Sequence, residues 1–204
     1  MKDFSQSGEQ KHIVEFAERV GPGRFLDLGA FDGIECSNTR WLALNGWSGV
    51  CVEPAAHPFH RLAELYADRP DILCVNALID TDPGLRTFWY SPTDLVSTTE
   101  DEHLKVWDGT ARFVETIACA VTLEQLLDRV GAGFEFVSID TEGTSIDLLY
   151  RLRAHGAWQS VGMVIVEFAD GEQEYEIHDV CGRGEWNVCE RTANNVVLAR
   201  AGVA

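Results

Sequence analysis

Phe25-Leu26-Asp27-Leu28-Gly29-Ala30-Phe31-Asp32-Gly33 is an apolar strand that ends on a carboxylate and runs into a glycine-bearing turn. A helix opens behind it at Glu35-Cys36-Ser37-Asn38-Thr39. Such a unit presents free backbone N–H groups at a helix N-terminus, beside a backbone that a ligand can approach closely. The next apolar strand, Ser48-Gly49-Val50-Cys51-Val52-Glu53, closes on Glu53, 20 residues beyond Gly33. A carboxylate at that spacing can accept both hydroxyls of a ribose. Together the two features describe a nucleoside-containing cofactor lying across the ends of two parallel strands.

A missing glycine narrows the choice of cofactor. A pyrophosphate turn reads G-x-G-x-x-G, and its second glycine lets the backbone reach the phosphates. Phe31 holds that position and would crowd a pyrophosphate. S-adenosylmethionine carries no phosphate. Its amine, or a water beside it, suits Asp27, and its carboxylate suits the turn N–H groups.

Outward from this segment, β and α patterns alternate. Ile13, Phe16, Ala17 and Val20 give helical spacing over 9–20, and Gly21-Pro22-Gly23 stops that helix. Strands are expected at 25–30, 48–53, 72–79, 134–140 and 161–168. Helices are expected at 35–45, 58–67, 122–130 and 145–155, with a weaker one at 171–181. Further strands are expected at 85–90 and 116–121, and a closing hairpin pairs 186–189 with 196–199. The polar stretch Ser91–Asp108 is long for a loop without structure, and such loops are often functional. The pattern predicts one α/β domain over 1–204, with a mainly parallel sheet, helices on both faces and an antiparallel pair at its end. Ligands of such sheets bind outside the carboxyl ends of the strands. The residues to inspect there are Asp27, Glu53, Asn76, Asp140 with Glu142, and Glu167.

The 204 residues carry a net charge of −17. That excess argues against nucleic acid or an acidic membrane surface as partner, since both are held by basic patches. The six cysteines include no C-x-x-C pair, and Cys51, Cys74 and Cys119 read as small buried apolar residues. The N-terminal residues lack an apolar signal region and no apolar run reaches membrane-spanning length, so the cytoplasm is the expected compartment.

Several segments, in order, resemble the FkbM family of S-adenosylmethionine-dependent methyltransferases. They are Ser5–Glu9, Phe25–Gly33, Ser37-Asn38-Thr39, Gly46–Pro54, Val75-Asn76-Ala77 and Val137–Gly143. The resemblance implies a Rossmann-like, seven-stranded methyltransferase fold. It also implies methyl transfer to a hydroxyl of a small molecule of sugar or polyketide type. By the same resemblance Asp27, Gly29, Ala30 and Gly33 match the cofactor loop, and Glu53 matches the ribose carboxylate. Asn76 and Ala77 match the position beside the adenine. Gln6, Phe31, Ser37, Asn38, Pro54 and Asp140 complete the implied cofactor contacts. Ser5–Glu9 becomes part of a lid over the cleft, rather than only an N-terminal cap. Phe31 departs from the usual methyltransferase glycine, so a different loop path is expected.

Asp140 and Glu142 stand where a methyl acceptor should sit. An alcohol loses its proton as it attacks, so a positioned base helps. Either residue can be that base, with Glu142 narrowly preferred. Alternatively, Asp140, Glu142 and Glu167 hold Mg²⁺, a less favoured arrangement for carboxylates from separate strand ends. His103, His155 and His178 are weaker candidate bases, since none lies in a matching motif. Two other readings compete: a non-catalytic methyltransferase-like binding module, and a nicotinamide oxidoreductase, which Phe31 disfavours.

Overall fold

The computed structural model describes residues 2–91, 97–98, 112–182 and 184–203. The chain runs through α1 (Gln10–Val20), β1 (Arg24–Leu28), α2 (Arg40–Leu44), β2 (Ser48–Val52), α3 (Ala56–Leu65) and β3 (Ile72–Val75). An insertion follows, made of β4 (Leu78–Ile79), β5 (Gly84–Tyr90), β6 (Ser97–Thr98) and β7 (Val114–Val121). The chain then continues through α4 (Leu123–Val130), β8 (Phe136–Ile139), α5 (Ser145–Ala154), a 3₁₀ turn (Gly156–Ser160), β9 (Met163–Glu167), α6 (Gly171–Cys181), β10 (Trp186–Arg191) and β11 (Asn195–Arg200).

Seven strands form the main sheet in the order β10-β11-β9-β8-β1-β2-β3. β11 runs antiparallel to both neighbours, while β9, β8, β1, β2 and β3 pair in parallel. Strand alternation divides the core between the two faces. Leu26, Leu28, Val50 and Val52 pack with Leu126, Leu127, Leu149 and Leu152 on the side of α4 and α5. Phe25, Cys51, Phe136 and Ile165 pack with Ile13, Phe16, Leu42 and Leu62 on the side of α1, α2 and α3. Every second residue keeps its face. Continuing the second set to the strand ends puts Asp27, Glu53, Asp140 and Glu167 on the α1–α3 side. The strand order also reverses at β1, between β8 and β2, which opens a crevice where the carboxylates gather.

Three expectations about elements need correction. The strand expected at 72–79 is two strands, because Asn76 turns its amide onto the backbone carbonyls of Glu53 and Pro54, at 2.8 and 3.1 Å. β3 ends there as the sheet edge, with Leu73 exposed, and β4 joins a second sheet of order β4-β7-β5-β6. The expected helix at 35–45 shrinks to α2. Asp32 Oδ1 accepts the N–H groups of Ile34 and Glu35, both at 2.9 Å, and holds that stretch in a turn. Cys36 adds a φ of 54°, which no helix tolerates. Finally, Cys119 is exposed, since alternation along β7 sends Ala118 and Ala120 inward instead. Most of the polar stretch Ser91–Asp108 lies outside the described residues.

Gly29 is required by a close approach. Its φ is 90°, and a Cβ there would collide with the Asp140 carbonyl oxygen. The backbones leaving β1 and β8 therefore almost touch.

Candidate active site

The crevice is a cavity of about 580 Å³. Of the residues singled out in the sequence, Gln6, Asp27, Gly29, Ala30, Phe31, Ser37, Asn38, Glu53, Pro54, Ala77, Asp140, Glu142 and Glu167 line it. Gly33 does not. Its own Cβ position faces Leu62 and Leu65 at 2.8 and 2.9 Å, so it serves packing against α3. Asn76 does not line the cavity either, being spent on the end of β2.

The turn after β1 is built differently from the expectation of free N–H groups. Gly29 and Ala30 both donate to the Val52 carbonyl, at 3.0 Å, and Gly33 donates to Ala30. Phe31 donates to Glu53 Oε2 at 3.0 Å. These donors are already used, so the turn itself offers no ready anion cradle. Phe31 takes φ 47°, the left-handed conformation that glycine supplies at no cost. The Phe31 side chain bears about 1–2 kcal/mol for that conformation. Asp32 sits beneath, buried, in an ion pair with Arg61.

Glu53 is buried at the end of β2. Its two oxygens each take one backbone N–H, from Phe31 and from Ala55 at 2.8 Å. Each oxygen keeps a further lone pair, and Glu53 lines the cavity. Burial raises its carboxyl to about 7. Asp27 receives the Thr39 hydroxyl at 2.5 Å, and burial raises it to about 6.

Beyond β8, Asp140, Glu142 and Glu167 bring one carboxylate oxygen each within 4.8 Å of one another. Glu142 adopts φ 51°. That turn is held by its own N–H, which donates to Glu167 Oε2 at 3.2 Å, and Ser145 Oγ reaches the same oxygen at 3.4 Å. Burial, and then the neighbouring Glu167 charge, push Asp140 well above the carboxylate range. Asp140 and Glu167 also share a hydrogen bond, so a proton lies between the two carboxyls. Burial and the Asp140 charge raise Glu142 to about 8, and burial with the Glu142 charge raises Glu167 to about 7.

These shifts have one sign. Each carboxyl holds its proton more tightly in the folded chain than in the unfolded one, so stability is lost as pH rises through the folded values. The thermal midpoint of the ligand-free protein is expected to be higher at pH ~5 than at pH ~8, because across this window the folded chain binds more protons than the unfolded one. Differential scanning calorimetry across that range checks this. A midpoint that climbs with pH would contradict the buried placement of the cluster.

Residues that the sequence reading missed also line the cavity: His57, Arg61, Phe88, Tyr90, Ser138 and Asn194. Ser138 was readable, two residues before Asp140 on one strand face. Phe88 and Tyr90 come from the second sheet, whose docking against the main sheet leaves no local signal. The N-terminal segment reaches the site as well. Buried Glu9 accepts from Asn195 Nδ2 at 2.9 Å and from the Ser7 N–H at 2.8 Å, which ties the approach to Gln6 to the start of β11. His155 is a structural cap, its Nδ1 accepting from Ala157 at 3.1 Å, and His178 lies by Glu174. Neither lines the cavity. His103 lies outside the described residues.

The Methyltransferase FkbM domain matches residues 27–182. Among solved structures, the FkbM methyltransferase from Methylobacillus flagellatus KT aligns with 87% of this chain at 11% identity and a TM-score of 0.57. This chain spans 43% of that protein's length. The putative methyltransferase yhhF from Escherichia coli aligns with 98% of this chain, over 88% of its own length, at 12% identity and a TM-score of 0.53. Monomeric WbdD aligns with 98% of this chain, over 42% of its own, at 14% identity and 0.53. At such identities the likeness concerns the fold. No curated protein matches the sequence significantly. No helix among the described residues is long and apolar enough to cross a membrane.

Proposed function

Because this chain belongs to the FkbM methyltransferase family, we propose that it transfers the methyl group of S-adenosylmethionine to a hydroxyl oxygen of a small molecule of sugar or natural-product type. The observation that carries this reading is the gathering of Glu53, Asp27 and the Asp140–Glu142 turn around one cavity. The chemistry of these groups fits the cofactor. Glu53 has lone pairs for two ribose hydroxyls, and the acidic floor at Asp27 and Asp140 suits an amine. Ala77, just beyond β3, gives an apolar surface suited to an adenine. S-adenosylmethionine supplies an electrophilic methyl group on a sulfonium.

The protein's own part is positioning and proton removal. Glu142 takes the acceptor's proton. Its carboxyl near 8 makes it a stronger base than an exposed glutamate. Asp140 is the weaker candidate, because its carboxyl is already hydrogen-bonded to Glu167. Gln6 and Tyr90 line the same cavity and would help exclude water from the reaction. The net charge of −17 fits a neutral or cationic acceptor rather than a polyanion.

The 4.8 Å clustering supports a second reading, in which Asp140, Glu142 and Glu167 hold Mg²⁺ that acidifies the acceptor hydroxyl. The proton shared between Asp140 and Glu167 already relieves part of the repulsion, so the metal-free base is preferred. Turnover on a panel of hydroxylated acceptors, with and without EDTA, tests both. Activity that persists in chelator supports the base. Activity that vanishes and returns with Mg²⁺ supports the metal. Cofactor binding without turnover on any acceptor would favour a binding module.

A further inference from the structure

The strand order divides the cavity into two chemically different halves. On the side of β1, β2, β3 and the second sheet, apolar residues such as Phe31, Val52, Leu78 and Phe88 take part in the lining. On the side of β8, β9 and β11, every described lining residue has a hydrogen-bonding side chain. Beyond Asp140 these are Thr141, Glu142, Thr144, Glu167 and Asn194. Thr144 stands at the N-cap of α5, yet its side chain caps no helix N–H. It donates instead to Thr141 Oγ1 at 3.0 Å. Thr141 and Ser145 carry that line of hydroxyls on to Glu167, at 3.2 and 3.4 Å. Asn194 is exposed in the turn between β10 and β11. Its carbonyl accepts the Phe168 N–H at 2.8 Å, and the next residue, Asn195, pairs in register with Glu167. The backbone of Asn194 is thus fixed beside the end of β9. Amides and hydroxyls both donate and accept, and carboxylates accept, so this wall complements several hydroxyls at once. An apolar acceptor surface would strip water from these groups and return no hydrogen bonds.

We propose that this half of the cavity holds the acceptor through hydroxyls adjacent to the one that is methylated, that the acceptor is therefore a neutral polyol of sugar type rather than a polyketide with isolated hydroxyls, and that Asn194 is a specificity-determining residue for it. This assignment rests on the methyl-transfer reading above and narrows its acceptor. The nucleoside takes the half with Glu53 and Ala77, which leaves the polar half to the acceptor. Neutrality follows from Glu142 and Glu167, since an acidic sugar would meet two carboxyls there.

The test is steady-state kinetics with four kinds of acceptor: methyl pyranosides, the matching methyl uronides, cyclohexanol and a macrolide aglycone. Each is run with the wild type, Asn194→Ala and Thr144→Val. The wild type should use at least one pyranoside with a kcat/KM roughly tenfold or more above the other three kinds, because a site built to bond a substrate hydroxyl rejects analogues that lack it. Asn194→Ala should narrow the gap between pyranoside and cyclohexanol several-fold, through KM more than kcat, while S-adenosylhomocysteine binds as before. Thr144→Val, which removes a hydroxyl at nearly constant shape, should narrow it as well. The gap is a ratio internal to each protein, so a partial folding defect cancels. Asn194 is exposed and keeps its backbone bond to Phe168 as alanine, so that variant should fold. Should one variant not fold, the wild-type ranking and the other variant still decide. Cyclohexanol or the macrolide used as well as every pyranoside overturns the proposal, and so does a uronide used equally well. A gap unchanged in both variants overturns it too. Methyl transfer to none of the acceptors would overturn the hydroxyl reading itself, a different failure from the others.

Discussion

Replacing Glu142 by Gln is expected to lower kcat by ~10²–10⁴-fold while S-adenosylhomocysteine binds nearly as before, because a base acts on the acceptor's proton only as the bond forms. The turn that carries this side chain is fixed in place. Glu142 sits in the left-handed region at φ 51°. Such backbone costs on the order of 1–3 kcal/mol and persists only where the surroundings fix it. Here the Glu167 carboxylate fixes it through the Glu142 N–H. The carboxyl near 8 further predicts that kcat rises with pH through that value and levels above it, as the base ionises. Asp140→Asn should be milder, since Asp140 shares its proton with Glu167. Steady-state kinetics of both variants across pH decides. Full activity in Glu142→Gln would mean that the proton leaves to water and that the turn only orients the acceptor.

Glu53→Ala is expected to weaken S-adenosylhomocysteine ten- to a hundred-fold, from the loss of charged hydrogen bonds worth ~1.5–3 kcal/mol. Part of the loss is indirect. Glu53 also receives the Phe31 and Ala55 N–H groups, so alanine frees the loop that walls the cavity. Glu53→Gln separates the contributions, because it keeps an acceptor and the shape but loses the charge. Its affinity should fall between the other two. With a carboxyl near 7, wild-type affinity should also drop as pH falls below that value, since the hydroxyls prefer the ionised form. Titration calorimetry of the three proteins measures this. Equal affinity in all of them would remove Glu53 from the site.

What could be read in the chain follows from strand alternation. Asp27, Glu53, Asp140 and Glu167 end apolar runs whose second residues all face α1, α2 and α3, so their meeting was legible from period and position alone. Legibility stopped where one side chain redirects backbone elsewhere in the chain. Asp32 turns 34–35 out of a helix, and Asn76 breaks one apolar run into strands of two sheets. Both are polar residues whose bonds form only once the sheet exists. The same holds for the turn N–H groups, which look free in sequence but are taken by Val52 and Glu53 of the neighbouring strand. The contribution of Phe88 and Tyr90 depends on how the β4-β7-β5-β6 sheet docks, a packing fact with no local signature.

The most direct test of methyl transfer to oxygen is an incubation of the protein with methyl-labelled S-adenosylmethionine and a panel of sugars, polyols and hydroxylated polyketides, with products resolved by mass spectrometry and NMR. A labelled methyl ether is expected on at least one acceptor, formed faster as pH rises toward about 8 and unaffected by EDTA. Label found on nitrogen or carbon, with no ether on any acceptor, would contradict it.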